Sequence, residues 1–102
     1  MTFDELCAAQ YKNITVALFY GLNCKPCELL HPKLEEVCKK LGVRLERFNS
    51  SLEIPALKRM GLRSVPSVVL VHPSGIPALA FSGDRTKAEI EQLLTRGGVR
   101  NA

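Results

Sequence analysis

Helical and strand rhythms alternate along this chain, and its apolar positions show where each begins. Phe3, Leu6, Cys7, Gln10 and Tyr11 recur at helical spacing behind Thr2 or Asp4 as a cap, predicting a short amphipathic helix. The apolar, β-branched run Ile14-Thr15-Val16-Ala17-Leu18-Phe19-Tyr20 predicts a buried strand. Cys27, Leu30, Leu34, Val37, Cys38 and Leu41 then trace the stripe of a long helix over 26–41, ended by Gly42. Pro32 lies inside that stripe; it removes one intrahelical hydrogen bond and predicts a kink. Val43 to Phe48 alternates like a strand yet holds Arg44, Glu46 and Arg47. That charge places it at a sheet edge, because a central parallel strand is apolar on both faces.

The second half supplies shorter elements. Ser50 and Glu53 are spaced as a capping box for a short helix that Pro55 limits and that reaches Met60 before Gly61. Val68-Val69-Leu70-Val71 marks a strand over 67–71, Pro73-Ser74-Gly75 a turn, and residues 76–81 a strand pairing back. Pro77 is tolerable there only near an edge. Thr86 and Glu89 box the start of a last helix that buries Ile90, Leu93 and Leu94, and the tail from Gly97 is expected to fray. Early strand–helix–strand crossovers require parallel pairing, whereas the late turn requires a hairpin. The chain therefore reads as one α/β domain over residues 1–102 with a mixed sheet and no internal repeat or linker.

Composition narrows the function classes. Hydrophobic residues at 46% and charged residues at 24% are ordinary for a globular domain, and the net charge of +4 comes from scattered basic residues. No Lys/Arg run or aromatic–basic interleaving points to nucleic acid. No stretch approaches a membrane span, and Met1-Thr2-Phe3-Asp4-Glu5 is acidic where a secretory leader would be basic. The expectation is a soluble, cytoplasmic protein, in which structural disulfides are rare and a C-x-x-C pair is catalytic or metal-binding.

Cys24-Lys25-Pro26-Cys27 falls where the first strand gives way to the long helix. The first thiol of such a pair meets unpaired backbone N–H groups and the positive end of the helix dipole, which favour a thiolate, and Lys25 adds a charge beside it. The second lies one turn on, within reach of a disulfide. Half of a zinc site is the alternative; zinc needs two more ligands, and Cys38 lies on the core stripe rather than in a second C-x-x-C. Cys7 and Cys38 sit on apolar helix faces, where free cysteine acts as a small hydrophobe.

With these residues in place the chain resembles the thioredoxins. The resemblance covers about residues 14–95 and rests on Cys24-Lys25-Pro26-Cys27, the helix proline Pro32, the Val65-Pro66-Ser67 segment after Gly61-Leu62-Arg63, and Gly75 and Gly83. It implies a thioredoxin-like fold, a central mixed four-stranded sheet flanked by helices, with the family's opening strand missing because only a short segment precedes the first strand. It also implies a thiol–disulfide oxidoreductase reducing protein disulfides, with Cys24 attacking and Cys27 resolving. Lys25, Pro26, Val65 and a cis Pro66 would then meet the substrate. A reductase would recharge the pair, no bound cofactor or metal is needed, and a monomer suffices.

The departures from the family pattern are specific. Asn23 stands where thioredoxins usually carry tryptophan, Leu18 where they carry a buried aspartate, and Arg47 where they carry a neighbouring lysine. Leu18 leaves Cys27 without its expected base, with His31 and Glu28 as candidate substitutes; Arg47, freed of an acidic neighbour, is expected to modulate the pair. Two rival readings remain at this point. A glutaredoxin-like, glutathione-dependent enzyme suits the short N-terminus, but glutaredoxins place proline where Lys25 stands, and Ser82-Gly83-Asp84-Arg85 only faintly echoes their glutathione-holding signature. A thioredoxin-fold binding module in a larger assembly would not need the intact cysteine pair.

Overall fold

Chain order and sheet order differ, because two strands that are neighbours in the sheet are not consecutive in the chain. The structure, a computed structural model, describes residues 1–100. Its elements are α1 (Phe3–Ala9), β1 (Thr15–Tyr20), α2 (Lys25–Leu41), β2 (Arg44–Asn49), a 3₁₀ turn (Ser50–Leu52), α3 (Ile54–Met60), β3 (Ser67–Val71), β4 (Pro77–Ser82) and α4 (Lys87–Arg96). The four strands run in the order β2-β1-β3-β4. β1 pairs in parallel with β2 across the α2 crossover and antiparallel with β3, which pairs antiparallel with β4. The mixed sheet is as expected, and the charged strand β2 lies at its edge. Pro77 opens β4, the other edge strand, where a missing N–H costs least.

Alternation along β1 divides the core in two. Val16 and Leu18 face Leu30, Leu34, Val37 and Cys38 of α2 and Ile90 and Leu94 of α4. Ala17 and Phe19 face the other side, with Phe3 and Leu6 of α1, Phe48 of β2 and Ala56 and Leu57 of α3. The first layer is aliphatic apart from Phe81. The second is built on three aromatic rings, Phe3, Phe19 and Phe48, whose centroids lie 5.0–5.6 Å apart in tilted and edge-on pairs. Such pairs add about 0.5–1.5 kcal/mol each beyond their buried area. Thr2 and Thr86 close full capping boxes with Glu5 and Glu89 at the starts of α1 and α4. Helix α2 continues through Pro32 and ends on Gly42, whose N–H reaches the Cys38 and Lys39 carbonyls.

Two local expectations are overturned. Ser50 and Glu53 do not form a capping box: Asn49 caps the 3₁₀ turn instead, its side chain accepting the Ser51 N–H. The Glu53 side chain is buried and accepts the Phe3 N–H at 3.1 Å, so a carboxylate from the α3 side satisfies a free donor at the start of α1. The tail does not fray at Gly97 either. Val99 is 3% exposed, and its N–H bonds the Leu94 carbonyl at 3.0 Å, drawing the chain back onto the aliphatic layer. Gly97 permits this approach, since a Cβ there would stand 2.2 Å from Leu70 Cδ1. Residues 101–102 of the tail lie outside the described residues. No described helix is long and apolar enough to cross a membrane.

Candidate active site

The site is assembled at the start of α2. After β1 the chain turns through Gly21, Leu22 and Asn23, and Asn23 adopts a left-handed backbone (φ 53°) that asparagine tolerates better than most residues. Cys24 then takes extended backbone angles as the N-cap of α2, and its Sγ accepts the Cys27 N–H at 3.3 Å. Pro26 carries no N–H, so the Cys27 amide is the first-turn donor aimed back at that sulfur. Cys24 and Cys27 are joined as a disulfide with Cα atoms 5.2 Å apart. Cys24 is partly exposed, whereas Cys27 is only 4% exposed. Lys25 and Pro26, both exposed, lie between them at the helix start.

A second loop meets this helix end. The Val65–Pro66 peptide is cis, and the Val65 carbonyl oxygen lies 4.0 Å from Cys24 Sγ. Hydrogen bonds hold that loop on both sides. The Gly83 N–H donates to the Pro66 carbonyl at 2.9 Å, and the Ser67 hydroxyl reaches the Ser64 carbonyl at 2.7 Å and the Ser82 hydroxyl at 3.0 Å. Gly21 forms the floor: a Cβ there would meet Val65 Cγ2 at 3.1 Å and Cys24 Cβ at 3.9 Å. From Val65 a groove of about 550 Å³ runs to α3, walled by Ile54, Leu57 and Leu62 and flanked by Lys58 and Arg63.

The rear of the site is apolar. Leu18 is fully buried in the aliphatic layer, where the family's aspartate would be. Arg47 is its register partner on β2, exposed, with its guanidinium 4.8 Å over the Tyr20 ring. His31 faces along its own helix to Glu35, Nε2 to Oε2 3.6 Å, and Glu28 is exposed. Burial pushes the Cys38 thiol up to about 12, which keeps it protonated and inert. Burial also raises the partly covered Cys7 thiol, with Asp4 adding to the effect. Among the described residues no three His, Cys, Asp or Glu side chains come together to hold a metal ion.

Cys24, Cys27, Lys25, Pro26, Val65 and Pro66 are thus brought to one place, and Leu18 and Arg47 lie on the sheet behind it. Sequence reading missed the floor at Gly21 and the groove beyond Val65. Both depend on the cis-proline loop meeting residues distant in the chain, and no local pattern signals that.

Comparison with known proteins bears on the family and the fold. The family model described as Thioredoxin matches residues 1–96. Thioredoxin Y, chloroplastic, from Oryza sativa subsp. japonica is 29% identical over 84 residues, covering 80% of this chain and 49% of its own. The chain spans about half the length of that curated relative. The X-ray structure of Fasciola hepatica thioredoxin shares the fold, with a TM-score of 0.75 at 22% identity over 90% of this chain and 88% of that one.

Proposed function

Since the chain belongs to the thioredoxin family, we propose that it is a thiol–disulfide oxidoreductase reducing protein disulfides through Cys24 and Cys27. The observation that carries this reading is the Cys24 sulfur itself. It accepts the Cys27 N–H at 3.3 Å at a helix N-terminus and stands 4.0 Å from the Val65 carbonyl.

In the reduced protein the Cys24 thiolate attacks one sulfur of a substrate disulfide. The substrate S–S bond breaks, a mixed disulfide forms, and the other substrate sulfur leaves as a thiolate. Val65 offers its backbone to the substrate chain in strand-like fashion. Cys27 then loses its proton, attacks Cys24 Sγ and closes the Cys24–Cys27 bond, releasing the second substrate sulfur as a thiolate. The substrate gains two electrons and the protein loses two. With Leu18 in the place of a carboxylate, water or the first released thiolate takes the Cys27 proton. Lys25 and the helix dipole favour the attacking thiolate, and Arg47 adds positive charge on the sheet edge behind it. A dithiol reductase returns the electrons. A reducing compartment such as the cytosol is the setting we infer, supported by the two further free thiols, Cys7 and Cys38.

Insulin-disulfide reduction tests this reading, coupled either to a thioredoxin reductase with NADPH or to glutathione and its reductase. Turnover with the first system, lost in Cys24→Ser, is expected. Turnover with glutathione alone would point to the glutaredoxin-like reading, and turnover with neither would point to a binding module.

A further inference from the structure

The groove beyond Val65 is lined by aliphatic side chains and by cations, with no carboxylate among them. Of fourteen Lys and Arg residues, five (Lys33, Lys40, Arg44, Arg59 and Lys87) are held by carboxylates. Glu35 faces His31, Glu5 and Glu89 are occupied in capping boxes, and Glu53 is buried on the Phe3 N–H. Glu28 is left as the carboxylate without such a partner among the described residues. Lys58 and Arg63 both line the groove, both are exposed, and neither is in an ion pair among the described residues. No carboxylate lines the groove. Its walls are aliphatic, with Ile54 45% exposed and Leu57, Leu62 and Val65 beneath.

We propose that this groove selects protein disulfides flanked by an acidic and aliphatic segment. Aliphatic side chains of the substrate rest on Ile54, Leu57 and Leu62, and Asp or Glu carboxylates meet Lys58 and Arg63, the latter through its planar fork. The inference rests on the dithiol reading above, because the groove decides which disulfide is presented to Cys24 across Val65. Charge complementarity of this kind acts on encounter and orientation, so it shows in rate and in salt dependence.

Two oxidised peptides of equal apolar content and identical disulfide loops, one flanked by Glu and one by Lys, provide the test. The protein is reduced, desalted and mixed with each peptide, and each single-turnover rate is divided by the rate of free mercaptoethanol on the same peptide. The uncharged reagent hydroxyethyl disulfide is run alongside. The Glu-flanked peptide is expected to be favoured about tenfold at low ionic strength and to lose most of that advantage near ~0.5 M salt. The double variant Lys58→Glu/Arg63→Glu should invert the preference, and Lys58→Arg/Arg63→Lys should keep it. Equal normalised rates for the two peptides, or a preference unchanged by charge reversal, would overturn the selectivity while leaving the redox reading intact. Failure of the wild type on hydroxyethyl disulfide would instead overturn the redox reading and the selectivity with it.

Discussion

Cys24 and Cys27 lie one helical turn apart and in different surroundings. Cys24 is partly exposed, accepts a backbone N–H, and has Lys25 beside it and the Val65 carbonyl 4.0 Å from its sulfur. Cys27 is buried, and the aliphatic layer built on Leu18 and α2 lies on that side of the sheet. In the proposed cycle the exposed half of the pair attacks the substrate disulfide. The buried half resolves the mixed disulfide in that cycle. The difference teaches that a dithiol motif is two sites, and that its asymmetry comes from the helix end on one side and the core on the other.

Breaking either half gives the largest effects. Cys24→Ser should lower disulfide reduction by roughly 10³-fold or more, whereas Cys27→Ser should accumulate a mixed disulfide between substrate and Cys24, visible as a mass adduct that dithiothreitol removes. An adduct on Cys27 in the Cys24→Ser variant would reverse the roles.

Next comes a carboxylate placed in the apolar rear. Leu18→Asp buries an ionisable group among Val16, Leu34 and Val68 and should cost about 3–5 kcal/mol in urea unfolding at neutral pH. Burial raises the carboxyl's folded pKa above its unfolded value, so the folded state binds the extra proton and the loss should shrink as pH falls. Leu18→Asn should destabilise without that pH dependence. Equal profiles for the two variants would mean that position 18 is not shielded from water.

A smaller effect tests the turn that presents Cys24. Asn23→Gly should leave stability nearly unchanged, while Asn23→Val, forced to φ 53°, should cost about 1–2 kcal/mol. Both should leave the order of the two cysteines unaltered.

The smallest effects lie far from the pair. Backbone and side-chain hydrogen bonds to Thr2 and Thr86 hold the Glu5 and Glu89 carboxyls below their usual range. Their contribution is present above the ordinary carboxylate pKa and is lost as pH falls through the depressed folded value. Glu5→Gln and Glu89→Gln should therefore lower Tm slightly at neutral pH, less in acid, and leave the reduction rate alone.

How far these features could be read in advance depended on the range of the interaction. The strand at 14–20, the stripe on α2 and the capping boxes at Thr2 and Thr86 depend on neighbours a few residues away. The edge position of β2 was visible as charge in Arg44, Glu46 and Arg47, because burial would have excluded it. The cysteine pair and Pro66 were legible through their resemblance to a family pattern. Glu53 misled because its spacing to Ser50 is that of a local cap, whereas its partner, Phe3, is 50 residues away. Val99 reads as fraying tail in the sequence because its anchor is the close approach of Gly97 to Leu70. Lys58 and Arg63 are two among scattered basic residues in the sequence, and only the fold of α3 and the cis-proline loop brings them to one groove.

Labelling of the reduced protein with a small amount of iodoacetamide, read by peptide mass spectrometry, tests the division of labour most directly. Cys24 should carry nearly all the label under native conditions, Cys7 should follow slowly, and Cys27 should behave like the buried Cys38, labelling only once denaturant opens the fold. Labelling of Cys27 at a rate equal to or above that of Cys24 in the folded protein would contradict the account.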